Sequence, residues 1–432
     1  MERLIYNDLL KWKHNTHRKP LILNGARQVG KTWILKEFGR REYEKTAYIN
    51  CERADQIEEV FRDFDSSRMV TALSVLSGVD IIPEKTLVFL DEVQEYPRAL
   101  TALKYFCEDA PQYHIVVAGS LLGISLHQGA SFPVGKVDML NLYPMTLAEF
   151  VLAMGNRQAA EILHNGDMKT ASSLNSFFIE MLRKYYYVGG MPAAVKEFAE
   201  TGKPNEVRKI QKQILSDYRR DFSKHTSRSE AERIAMVWDA IPQQLAKENK
   251  KFKYSDVKQG SRANDFLASI QWLIDAGLIY KITRINKPAR PLRFYEEPAV
   301  FKLYMNDVGL LGALMDVSAK EMLLGDNVFS EYKGALSEQY VLSQLITSEV
   351  PIHYYSTNDS QVEVDFIIQT ESQIIPIEVK AEKNVHSKSL RVFTEKNPEL
   401  KGVRLSMLPF EQQEWMDNIP LYGISKLIEN FQ

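Results

Sequence analysis

A chain of 432 residues is too long for one ordinary core and predicts roughly two to four domains. Apolar residues make up 45% and charged residues 25%, the balance of a folded soluble protein, which excludes a disordered chain. The net charge of −2 excludes a nucleic-acid binder that uses its whole surface, and leaves room for a local basic patch.

The first twenty residues, MERLIYNDLLKWKHNTHRKP, scatter charge among the apolar positions and lack the uninterrupted core of a signal peptide. No apolar run approaches the roughly 18–20 residues that span a bilayer. Cys51 and Cys107 have no C-x-x-C partner, which excludes a disulfide framework and a cysteine-rich zinc site. Together these features predict a cytoplasmic protein with no membrane partner.

"KPLILNG" predicts a short buried strand, and "KTWILKEFG" a helix ending at Gly39. Between them Gly25, Ala26, Arg27, Gln28, Val29, Gly30, Lys31 and Thr32 fit G-x-x-x-x-G-K-[ST] without a mismatch. Glycines let the backbone wrap so that its N–H groups face phosphates, and the helix N-terminus adds positive potential. Lys31 is placed to bridge the β- and γ-phosphates of ATP, and Thr32 to ligate magnesium.

"TAYINCE" reads as a further strand. "TLVFLDEVQEYP" then predicts a buried strand ending in an acidic pair. Asp91 would hold the magnesium through its water shell, and Glu92 would orient or deprotonate the attacking water. "YHIVVAGS" predicts the next strand, with Ser120 at its tip as a sensor of the γ-phosphate or as a plain strand cap. The alternation of strands and helices predicts an α/β parallel sheet that holds nucleotide at the carboxyl ends of its strands.

From about Ser229 the pattern turns helical. "AERIAMVWDAIPQQLA", "SDVKQG" and "RANDFLASIQWLIDAGLI" precede the strand-like "YKITRI", the order of a winged helix-turn-helix. Lys247 to Arg262 holds six basic residues against two acidic ones. This stretch either neutralises the phosphates of duplex DNA or is a solvated linker of a module packed on the ATPase.

"GALSEQYVLSQLI" predicts a helix with Glu338 near its start. "QVEVDFIIQ" carries Asp365, and "QIIPIEVKA", thirteen positions on, carries Glu378 and Lys380. Residues two apart on a strand share a face, so Glu378 and Lys380 point the same way. Two carboxylates and a lysine are the donor set of metal-assisted phosphodiester cleavage, with a second magnesium or manganese ion as cofactor. The competing reading is a nuclease fold that binds DNA or protein without cutting.

Taken together, "NGARQVGKT", "LVFLDEVQEYP", "VVAGSLLG", "LYPMTLAEF", "YVGGMPAAV" and "VEVDFII…IPIEVKA" resemble a prokaryotic family of AAA-type ATPases. Its carboxy-terminal domain, of unknown function, is related to PD-(D/E)xK nucleases. The resemblance covers nearly the whole chain. It implies a P-loop ATPase core over 1–160, a helical lid over 161–228, a winged-helix domain over 229–310 and a nuclease-like domain over 311–432. It also implies that Pro192, in "GGMP", packs on the adenine, and that Glu338 joins Asp365 and Glu378 as a metal ligand. One departure stands out. Gly135-Lys136 occupies the place of the family's Gly-Arg, which puts an arginine finger there in doubt because lysine lacks the guanidinium fork.

Three functions follow as expectations. The first is an ATP-hydrolysing switch controlling a DNA-acting module. The second is an ATP-gated scaffold with a catalytically silent terminal domain acting on protein partners. The third is a homo-oligomeric motor or chaperone-like ring.

Overall fold

The computed structural model describes residues 1–432 apart from 55, 121–122, 125–131, 225, 248–249, 325–329, 382–385, 425–426 and 428–432, and apart from the side chains of 324 and 330–332. The chain divides into two units: Met1–Tyr143 with Trp272–Leu278, and Pro144–Gln271 with Ile279–Gln432. The first division therefore falls near residue 143, ahead of the expected boundary at 160.

In the first unit five strands form one sheet: β1 (Leu21–Asn24), β2 (Lys45–Asn50), β3 (Thr86–Asp91), β4 (His114–Ala118) and β5 (Asp138–Asn141). All neighbours are parallel, in the order β2-β3-β4-β1-β5. A parallel sheet is covered on both faces, so its strands read as continuous apolar runs. Every residue of β3 is buried accordingly. Ile22, Val88, Leu90 and Val117 from the strands pack with Leu73, Leu103 and Phe106 from the helices Ser66–Ser77 and Pro97–Asp109. Because β4 lies between β1 and β3, the phosphate loop after β1 and the acidic pair after β3 flank one opening at the strands' carboxyl ends.

The helix after the loop runs Lys31–Glu42, past Gly39. Gly39 is not a helix stop. A Cβ there would meet Thr46 Oγ1 at 2.3 Å, so the glycine lets the helix lie against β2. The stop comes at Tyr43, whose backbone is extended.

The second unit holds an eight-stranded sheet. Its strands are β6 (Ile279–Ile285), β7 (Glu296–Met305), β8 (Ile352–Ser356), β9 (Glu363–Gln369), β10 (Ile374–Val379), β11 (Gly402–Ser406), β12 (Glu411–Gln412) and β13 (Met416–Pro420), in the order β12-β13-β11-β10-β9-β8-β6-β7. The helices Arg228–Leu245, Tyr254–Val257 and Leu267–Asp275 precede the β6–β7 hairpin in the expected order. The hairpin, however, is not a free wing. β6 pairs in parallel with β8, Arg284 opposite Tyr354, so the expected boundary at 310 cuts through one continuous sheet. The physical reason is edge pairing: β8 satisfies backbone groups that β6 would otherwise expose. Among the described residues no helix is long and apolar enough to cross a membrane.

Candidate functional site

The loop Gly25–Gly30 is shaped by positive φ angles. Gly25 sits at φ 150°, Gln28 at 67° and Gly30 at 98°. At Gly25 a Cβ would meet the Leu142 carbonyl oxygen at 2.3 Å, so only glycine lets β1 turn there. Ala26 and Val29 are buried beneath the loop, and the Arg3 guanidinium donates to the Val29 carbonyl at 2.9 Å. The helix Lys31–Glu42 carries no acidic residue in its first turn, as an anion-facing N-terminus requires.

Lys31 is buried, and its Nζ donates to the carbonyls of Gly25 (2.7 Å) and Ala26 (2.8 Å). Burial pulls its pKa down to about 8, while Glu92 and Asp91 pull it back up. A cation half-stripped of water and held by neutral carbonyls is ready to exchange them for phosphate oxygens.

Asp91 is buried at the end of β3. Its carboxylate accepts from the Tyr48 hydroxyl at 3.1 Å and from the Thr32 hydroxyl. Burial chiefly raises its pKa, against those hydrogen bonds. Glu92, one residue on, adopts the left-handed conformation (φ 52°, ψ 43°), which turns its side chain off the strand direction. Glu92 Oε2 accepts from Gln94 Nε2 at 2.7 Å and from Ser120 Oγ at 3.3 Å. The structure thus brings Lys31, Thr32, Asp91, Glu92 and Ser120 to one opening.

Two neighbours escaped that pattern. Tyr48 steadies Asp91 from β2, with Lys36 Nζ 3.6 Å above its ring. Gln94 holds Glu92, and its own Oε1 is buried with no partner among the described residues. Gln94 sits two residues past Glu92 in a 3-10 turn, a spacing that could have drawn attention to it. Lys136 pairs with Glu108 at 2.9 Å, so its charge is engaged on the spot.

This opening lies within a stretch that is similar to AAA domains. A family model described as an AAA domain matches residues 17–151, and two described as domains of unknown function, DUF8612 and DUF4143, match 179–321 and 333–425. The chain is 22% identical over 201 residues to the uncharacterized protein MJ1637 of Methanocaldococcus jannaschii, spanning 43% of this chain and 41% of that relative. Among solved structures, the Walker-type ATPase PABY2304 of Pyrococcus abyssi matches at 15% identity and TM-score 0.45, over 72% of this chain and 94% of its own. A signal-transduction ATPase with numerous domains and a tetratricopeptide-repeat sensor, from Pyrococcus horikoshii, matches at 12% identity and TM-score 0.28, over 79% and 45%.

In the second unit the "GGMP" turn joins the helices Asn175–Val188 and Pro192–Thr201, with Pro192 in the first turn of the latter. Gly190 N donates to Asp307 Oδ2 at 2.6 Å, and a Cβ on Gly189 would meet Asp307 Oδ1 at 2.2 Å. Asp307 is fully enclosed, and burial raises its pKa to about 6 against the pull of backbone N–H donors from Gly190, Leu310 and Gly309. The motif therefore has a structural task of its own. The adenine role that the resemblance gives Pro192 is a separate proposal.

The carboxy-terminal constellation is laid out differently from expectation. Glu338 lies in the middle of the helix Ser330–Leu345, because that helix starts earlier than predicted. It is buried, ion-paired with Lys250, 3.9 Å from Lys302 Nζ, and accepts from the Tyr304 hydroxyl. Lys302, wholly buried on β7, also pairs with Glu363 at 2.6 Å. Burial pulls the Lys302 pKa down, but Tyr304, Glu363, Glu338 and Asp365 more than offset it and keep the ammonium charged. Burial, then Glu338, raises the Asp365 pKa well above the usual carboxylate range, while Oδ2 accepts from Val379 N at 2.8 Å.

Glu378 pairs instead with Lys380 at 2.8 Å and stands opposite Arg404 on β11. Asp365 and Glu378 are on adjacent strands as expected, but their carboxylates serve different partners. Among the described residues no group of three His, Cys, Asp or Glu side chains is placed to hold a metal ion. The expected ligand set of Glu338, Asp365 and Glu378 is therefore not assembled: lysines occupy the charge-balancing role that an ion would have. Lys302 was invisible to motif reading because it stands on β7, far from the motif in sequence.

Proposed function

We propose that this protein binds and hydrolyses ATP at Gly25–Thr32, Asp91 and Glu92, and that the second unit serves as a non-cutting, partner-binding module. The observation that carries the first part is the convergence of Lys31, Asp91 and Glu92 on one opening with Thr32 already bonded to Asp91. The Thr32 hydroxyl and Asp91 carboxylate are a hard oxygen pair that suits magnesium, which when bound would neutralise charge on the β- and γ-phosphates. Lys31 exchanges the Gly25 and Ala26 carbonyls for phosphate oxygens. Glu92 accepts a proton from the attacking water, and Gln94 and Ser120 hold its carboxylate in place. The Ser120 contact goes to the base, which favours a positioning role over direct sensing of the γ-phosphate.

The silent reading of the second unit is supported by Lys302, whose charge sits among Glu338, Glu363 and Asp365 where a cutting site would need a metal ion with open positions for water and phosphate. One observation favours the rival reading, metal-assisted cleavage at Asp365, Glu378 and Lys380. Glu378 Oε2 is buried with no hydrogen-bond partner among the described residues.

The test is twofold. Wild type should release phosphate from magnesium-ATP, and Lys31→Ala should lose tight binding of a fluorescent ATP analogue with its fold intact. Supercoiled plasmid incubated with manganese should stay intact. An inactive wild type overturns the ATPase assignment, and nicking that Lys380→Ala abolishes overturns the silent reading.

A further inference from the structure

Two of the six cations in the basic stretch expected to meet nucleic acid are engaged elsewhere. Lys247 pairs with Asp256 at 2.7 Å, and Lys250 is committed to Glu338. A second group of positive charges lies on the loop between β6 and β7. From Asn286 to Tyr295 this loop holds Lys287, Arg290 and Arg293 and no acidic residue. All three are exposed, and none has an ion pair among the described residues. Of the two glutamates that follow, Glu297 pairs with Arg284 at 2.5 Å, and Glu296 lies 2.7 Å from His353 Nε2. Directly after Arg293 stands Phe294, 79% exposed, with Tyr295 edge-on at 5.3 Å and Lys287 Nζ 5.6 Å over the Tyr295 ring.

A loose loop would spend its ordering entropy on binding. This one is already pinned. Leu292 is buried and its N–H donates to Gln369 Oε1 at 2.8 Å; Asn286 N donates to the Tyr295 carbonyl at 3.0 Å, and Arg290 Nη1 to the Glu371 carbonyl at 2.9 Å. With Leu292 buried beneath it, the loop presents Phe294, 79% exposed, beside its cations.

We propose that residues 286–295 form a binding surface for single-stranded nucleic acid, with Lys287 and Arg293 on phosphates, Arg290 holding the loop and Phe294 stacked on a base. A single strand fits better than a duplex because only an unpaired base offers its face to a ring. One exposed aromatic on a short loop, without an amphipathic helix, is a poor membrane anchor by comparison. The proposal does not depend on ATP hydrolysis.

The experiment uses the full chain and a fluorescein-labelled oligo-dT, read by anisotropy across a salt series. Wild type should bind, with an affinity that falls as salt rises. Lys287→Glu with Arg293→Glu, leaving Arg290 to hold the loop, should flatten the log-log salt slope by about 1.4, from roughly 0.7 per phosphate on single strands. Phe294→Ala should weaken binding about fivefold or more without changing the slope. Because these side chains are exposed, thermal melts and magnesium-ATP binding should match wild type in each variant. No binding of oligo-dT by wild type overturns the proposal, as does an unchanged slope in the double variant. Equal affinity of wild type and Phe294→Ala overturns the stacking role. Binding to vesicles of anionic lipid without binding to oligo-dT assigns the loop to a membrane surface instead.

Discussion

Replacing Lys302 with methionine removes one charge from the middle of the carboxy-terminal cluster at almost constant volume. The Lys302 side chain is 1% exposed, and its partners Glu338 and Glu363 are 5% and 22% exposed. Breaking a fully dry pair from one side costs about 3–5 kcal/mol, because the other charge stays buried and alone. Glu338 keeps Lys250, and Glu363 reaches some solvent, so the expected loss is lower, about 2–3 kcal/mol. At roughly 2–4 °C per kcal/mol for a domain of 150–250 residues, the melting temperature should fall by about 5–10 °C. Adding Glu363→Gln should restore part of this, a coupling of about 1–2 kcal/mol in the double-mutant cycle. Differential scanning calorimetry with and without millimolar manganese completes the test. Wild type should be indifferent to the ion, since the cluster is already balanced by lysine. A Lys302→Met protein that melts within about 1 °C of wild type would contradict this, and so would a manganese stabilisation of wild type that Asp365→Asn abolishes.

Three further outcomes follow from the same geometry. Gln94→Ala should lower kcat more than it changes KM, since Gln94 holds the base Glu92 and does not touch the phosphate loop; steady-state kinetics across pH checks this. His114 is buried, with its pKa lowered to about 4 chiefly by burial and then by Arg18 and Lys13. The unfolded chain takes up that proton near pH 6.5 and the folded chain does not, so stability present above pH 6.5 is lost as pH falls toward 4, by roughly 3 kcal/mol. Thermal melts of wild type against His114→Phe should show that difference in slope. Gly189→Ala places a methyl against the buried Asp307 carboxylate at φ 73°, and should cost about 1–3 kcal/mol from backbone strain alone, read in a urea melt.

The nucleotide site was legible because its chemistry is local. A glycine loop, its lysine and an acidic pair at a strand end each occupy consecutive positions, and parallel strands carry them to one edge without further information. Gln94 and Tyr48 were harder to find because their roles depend on rotamers and on the register between β2 and β3, which pairs Asn50 with Asp91. The carboxy-terminal cluster was legible only in part. Spacing placed Asp365 and Glu378 on neighbouring strands, but the cation among the acids comes from β7 and from Lys250, contributions no local pattern encodes. The hairpin was read as a free wing because strand pairing across some seventy residues, β6 with β8, leaves no trace in periodicity. At Gly39 the sequence signal was real but served close packing against Thr46, not a helix end.

Glu92, held by Gln94 and Ser120 beside Asp91, is proposed to be the base of an ATPase. Glu92→Gln tests it most directly, with nucleotide affinity and single-turnover hydrolysis measured on the same preparation. The phosphate loop is untouched by the substitution, so ATP should bind as in wild type. Hydrolysis should slow by on the order of 10²-fold or more, the scale of losing a general base. A Glu92→Gln protein that hydrolyses ATP at the wild-type rate would contradict the claim.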